Sequence, residues 1–127
     1  MFETVLFPID QSREAFETAS KVIQLAKNHK SHIIMLSVVQ TERPEMHDAE
    51  LVTSLLEKAR EQIEQAGIKC DVLKKLGNPA FVICDVADDL NVDLIAMGTR
   101  GVNLEENSES TAARVIQLAP CPVLVVP

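Results

Sequence analysis

Three observations predict an α/β chain folded as a doubly wound parallel sheet. Short apolar runs alternate with amphipathic stretches in the order β-α-β-α-β-α-β-loop-α-β, which implies parallel strands with helices on both faces. The runs at Thr4–Ile9 (TVLFPI) and Asp93–Met97 are continuously apolar, as in strands buried on both sides. The 127 residues are 46% hydrophobic, with no repeat and no change of composition along the chain. One domain, residues 1–127, with one core is therefore expected.

Thr4–Ile9 is the first strand, with Asp10 following its carboxyl end. Ser12 is a good N-cap for a helix over roughly Arg13–Asn28. Its Ala15, Phe16, Ala19, Val22, Ile23 and Ala26 recur at helical spacing. His32–Val39 (HIIMLSVV) is the second strand, and the polar stretch Gln40–Asp48, with Pro44, makes a long loop. Leu51, Val52, Leu55, Leu56, Ala59, Ile63 and Ala66 form one face of a long second helix, with Gly67 at the C′ position. Lys69–Leu76 alternates as an edge strand would, and Lys74 and Lys75 protect that edge. Gly77-Asn78-Pro79 supplies a turn, a cap and a first-turn proline for a third helix carrying Ala80, Ile83, Val86, Ala87 and Leu90. Asp93–Met97 is the buried fourth strand. Ala112–Leu118 is the fourth helix, Pro120-Cys121-Pro122 breaks it, and Val123–Val126 is the fifth strand.

Several function classes are disfavoured at once. A net charge of −7 argues against nucleic acid or an anionic membrane as partner, because both need clustered Lys and Arg. No apolar run approaches the length of a membrane span, and Met1 leads into a strand without a signal-peptide pattern, so the cytoplasm is the expected compartment. Cys70, Cys84 and Cys121 form no CxxC, and His29, His32 and His47 are isolated. Reduced, mostly buried thiols and no metal site are expected.

In doubly wound sheets ligands bind at the carboxyl ends of the strands, where the strand order reverses. If strand one neighbours strand four, Pro8–Asp10 and Gly98–Gly101 line that crevice. The stretch MGTRGVNLEENSESTAA, from Met97 to Ala113, there joins a strand, a glycine loop and a helix start. That sequence offers backbone N–H groups and a helix dipole to a phosphate. The same loop carries Glu105, Glu106 and Glu109, which an anion should avoid.

FPIDQS near the start, DLIAMGTRG after strand four and APCPVLVV at the end resemble the universal stress protein family, in the family's order and over the whole chain. The resemblance implies a five-stranded sheet of order 3-2-1-4-5, two helices on each face and a homodimer paired through strand five. That pairing would use Val123, Leu124, Val125 and Val126, a bare apolar edge that should be covered. Many members bind ATP or related adenine nucleotides, and others do not. In those that do, the phosphates lie on Gly-x2-Gly-x9-Gly-Ser/Thr. Gly98 and Gly101 match its first half. Aligning backward from APCPVLVV puts Ser110 on the serine, Glu109 on the third glycine, and seven residues between (108 − 102 + 1) instead of nine. Counting nine forward lands on Thr111, again not glycine.

The resemblance further implies that Asp10 contacts the ribose or phosphate region and that the Val38 backbone recognises adenine. Ile9 and Met97 would line the base pocket, Ser110 and Thr111 would supply donors, and Arg100 is the fixed cation nearby. Each has a plainer reading: Asp10, Ser108, Ser110 and Thr111 as helix caps, Arg100 as a surface residue, and Val38, Ile9 and Met97 as core. A carboxylate about 4 Å from a phosphate charge costs on the order of 1 kcal/mol in water, and about 4 where partly buried. A divalent ion such as Mg²⁺ bridging an acid to phosphate would reverse that sign.

No P-loop, Rossmann GxGxxG, Gly-x-Ser-x-Gly elbow or His/acid/nucleophile set is present. Asp85, Asp88, Asp89 and Asp93 read as a solvated acidic face. The chain is not expected to be an enzyme, although slow or partner-dependent ATP hydrolysis stays open. The first reading is a cytosolic stress-response dimer with a weakened ATP or AMP site. The second is a dimeric interaction module of the same fold that binds unidentified protein partners and no nucleotide.

Overall fold

The computed structural model describes residues 2–9, 14–39, 49–98 and 111–127. Within them run β1 (Thr4–Pro8), α1 (Glu14–His29), β2 (His32–Val39), α2 (Ala49–Gln65) and β3 (Cys70–Leu76), followed by α3 (Pro79–Asp89), β4 (Leu94–Gly98), α4 (Thr111–Leu118) and β5 (Val123–Val126). All four strand pairings are parallel, and the order is β3-β2-β1-β4-β5. The predicted fold class is therefore observed. The loop Gln40–Asp48 lies outside the described residues, as do the side chains of Ala15, Phe16, Leu51, Val52 and Leu55.

Alternation along the strands divides the core into two layers. Val5, Phe7, Ile33, Met35, Leu94 and Ala96 face α1 and α2, where they meet Ala19, Val22, Ala26, Leu56, Ala59 and Ile63. Leu6, Ile34, Leu36, Ile95 and Met97 face α3 and α4, where they meet Ala80, Ile83, Ala87, Ala112 and Val115. Both faces of β1, β2 and β4 are thus covered, which is why these strands read as unbroken apolar runs. Each fully buried side chain of this size contributes about 1.5–3 kcal/mol of transfer free energy.

Element boundaries differ from expectation by a residue or two, for local reasons. The first ladder stops at Pro8, although Ile9 N–H still donates to the Leu36 carbonyl at 2.9 Å. Asp93 falls before β4 because it serves as a clamp: Thr4 N–H donates to its Oδ2, and its own N–H donates to the Thr4 carbonyl, both at 2.9 Å. Asn78 is the N-cap of α3, its Oδ1 accepting the Phe81 N–H at 3.4 Å, with Pro79 in the first turn. Gly67 ends α2 at φ +83°, the left-handed C′ conformation that favours glycine. Lys74 on the β3 edge is held to α2 by a 2.7 Å hydrogen bond from Nζ to Thr53 Oγ1.

Candidate functional site

The chain runs outward through β1, β2 and β3 and returns to β4 on the other side of β1. The order therefore reverses between β1 and β4, where the sequence placed the crevice. Val5 pairs with Leu94 and Leu6 with Ile95. Continuing that register brings Pro8 level with Met97 and Ile9 level with Gly98. Of the two segments singled out from sequence, the described residues Pro8, Ile9 and Gly98 lie together at one end of the sheet.

The described site residues divide by face. Ile9 is buried in the α1/α2 layer, whereas Met97 is buried in the α3/α4 layer. They flank the switch point from opposite sides of the sheet. Val38 lies two residues beyond Leu36, the partner of Pro8, and packs half-buried against the α3/α4 layer. Pro8, Val38 and Met97 share that face by alternation, and together they make an apolar shelf at the strand ends. Thr111 opens α4 half-buried, one residue before the buried Ala112. Asp10, Arg100, Gly101 and Ser110 lie outside the described residues, together with Glu105, Glu106 and Glu109.

The sequence reading missed Thr18. It is buried on α1, 7% exposed, and its Oγ1 would stand 2.8 Å from a Cβ added at Gly98. Its signal was a polar residue one turn before Val22, inside the apolar stripe. Ser37, 8% exposed near the carboxyl end of β2, is a second buried hydroxyl that the pattern did not flag.

The cysteines are free and unsuited to nucleophilic chemistry. Burial pushes the Cys70 thiol up to about 11, against a smaller downward pull from Arg60. Burial also raises Cys84 and Cys121. Such thiols stay protonated at neutral pH. Among the described residues no group of three or more His, Cys, Asp or Glu could hold a metal ion, and no helix is long and apolar enough to cross a membrane.

Comparison with known proteins addresses the same arrangement. The model of the universal stress protein family matches residues 1–127. A universal stress protein of Synechocystis is 49% identical over an alignment of 136 residues, covering 100% of this chain and 87% of that protein. That alignment is longer than the chain, so the relative carries residues this chain lacks. Among solved structures, the universal stress protein of Archaeoglobus fulgidus in complex with dAMP superposes with a TM-score of 0.81 at 20% identity, each chain covered in full (100%). A universal stress protein in complex with cAMP gives 0.78 at 20% identity, covering 98% of this chain and 96% of the other.

Proposed function

This chain belongs to the universal stress protein family, and from that premise we propose that it is a cytoplasmic stress-response regulator, one domain over residues 1–127, with a weakened adenine-nucleotide site and no catalytic role of its own. The observation that carries this reading is the strand reversal between β1 and β4, which sets Pro8 and Ile9 beside Met97 and Gly98. The complexes of relatives with dAMP and cAMP support an adenine nucleotide as occupant. Val38 offers its backbone to the base edge on the shelf it shares with Pro8 and Met97. Gly98, Gly101 and the first turn of α4 at Ser110 and Thr111 offer donors to phosphate. Asp10 faces the sugar or a bridging Mg²⁺, and Arg100 supplies positive charge.

The site is weakened because Glu109 stands for the third glycine and because Glu105 and Glu106 add negative charge. Calorimetric titration of ATP and AMP, each with and without Mg²⁺, tests the reading. Micromolar dissociation constants support it, and no heat up to millimolar nucleotide overturns it. The same acids favour the second reading, a nucleotide-free interaction module, to which that null titration would point.

The protein works as a homodimer in this proposal. Among the described residues β5 pairs with β4 alone, Leu124 on it is 40% exposed, and Ile116 and Leu118 on α4 are exposed as well. The opposite edge, β3, carries Lys74 and Lys75 and is protected against such pairing. Val125→Lys is expected to give monomers in sedimentation, and an unchanged dimer would move the interface elsewhere.

A further inference from the structure

Gly98 is required to be glycine by its surroundings and not by its backbone conformation. Among the described residues the glycines with positive φ are Gly67 and Gly77, and Gly98 is not one of them. Space is the constraint. A Cβ at position 98 would lie 2.8 Å from Thr18 Oγ1, 3.7 Å from Thr18 Cγ2 and 3.7 Å from the Val126 carbonyl oxygen. Real Cβ atoms essentially never approach a neighbour under 3.0 Å.

Thr18 has little freedom to yield. It is a β-branched residue in the body of α1, 7% exposed, and its Oγ1 sits one bond from Cβ. In a helix χ1 has two favoured wells, and any rotation must place Oγ1 and Cγ2 elsewhere in the packed layer. Relief comes from such a rotation or from moving α1 off β4.

We propose that Thr18 is a positioning residue for the candidate site: through it α1 demands glycine at 98 and fixes where the chain leaves β4. The positioning role rests on the nucleotide reading of the crevice given above. It gives Gly98 a requirement from inside the fold, distinct from that of a ligand needing close backbone approach. The two origins have different consequences. A requirement set by Thr18 is relieved by shortening Thr18, whereas a requirement set by a ligand is not.

Four proteins decide the matter: the unaltered chain, Thr18→Ala, Gly98→Ala and the double variant. Each is measured for thermal midpoint without ligand and for AMP affinity by calorimetry. Gly98→Ala is expected to lower the midpoint and to weaken AMP by about tenfold or more, since contacting residues couple strongly. Thr18→Ala leaves a gap at the same place and is expected to weaken AMP by about threefold, a loss of positioning alone. In the double variant the alanine methyl at 98 fills that gap. Its midpoint is expected to recover to that of Thr18→Ala, and its AMP affinity to be no weaker than that variant's. A midpoint that stays at the Gly98→Ala value would overturn the claim that Thr18 sets the constraint. A recovered midpoint with AMP still as weak as in Gly98→Ala would assign the glycine to the ligand and remove the positioning role. If the unaltered protein binds no AMP, the proposed function falls and the positioning role with it. The midpoints alone then still show whether Thr18 demands the glycine.

Discussion

The two ends of the sheet are finished in different ways. At the amino end the chain is pinned by short polar contacts. Thr4 and Asp93 exchange two hydrogen bonds, Ser31 Oγ donates to the Phe2 carbonyl, His32 N–H reaches the Glu3 carbonyl, and His32 Nε2 meets Asp71 Oδ2 at 2.7 Å. Phe2 stacks edge-on against His29 over the same end. At the carboxyl end the described residues Pro8, Val38, Gly98 and Thr111 are half-buried, and Val38 packs against the α3/α4 layer. The difference separates stability from binding. Among the described residues, the amino end joins its polar groups to one another, while the carboxyl end presents the half-buried Pro8, Val38, Gly98 and Thr111.

This contrast can be broken by experiment. The largest effect is expected from removing two amino-end fasteners together. Ser31→Ala with Asp93→Ala should cost about 2 kcal/mol in denaturant unfolding, since each removed partner is worth about 1 kcal/mol. AMP affinity should be unchanged. A parallel loss of affinity would show that the ends are not independent. The contrast sharpens with Glu109→Gly, which relieves about 1 kcal/mol of repulsion and should tighten AMP roughly fivefold. Ligand-free stability should not move with it.

A pH dependence belongs to the amino end. Cys70 opens β3 there, and burial holds its folded thiol up to about 11. The folded state keeps that proton after the unfolded chain has lost it, near the ordinary thiol value of about 8.5. The stability associated with the neutral thiol is therefore complete below that value and is lost as pH rises toward the folded one. Cys70→Ala should reduce the slope of the stability-pH curve over that alkaline window and leave its slope near neutrality unchanged. The smallest effect is expected from Asp71→Asn. The His32–Asp71 pair is partly exposed, so its loss should cost less than about 0.5 kcal/mol, and less again at high salt.

The fold was legible because its signals are local and repeated. Apolar runs, the Gly67 stop and the Asn78-Pro79 start each specify one element, and together they leave a single order of alternation. The strand reversal was legible from topology, because parallel strands that wind out and return must reverse somewhere. Individual roles were harder to read. Sequence spacing could not show that Ile9 and Met97 point to opposite faces, since they come from different strands whose register is set by pairing. Nor could it show that Thr18 occupies the space a side chain at 98 would need, across 80 residues (98 − 18), once α1 packs over β4. A threonine inside an apolar stripe looks like an imperfection until the neighbour it crowds is known.

Mapping AMP onto the backbone amides by NMR tests directly whether the nucleotide sits at the carboxyl end of the sheet. Shift changes are expected at Ile9, Val38, Gly98 and Thr111, with Thr4, His32, Asp71 and Asp93 unmoved. Changes confined to the amino end, or none at all at saturating AMP, would contradict that placement.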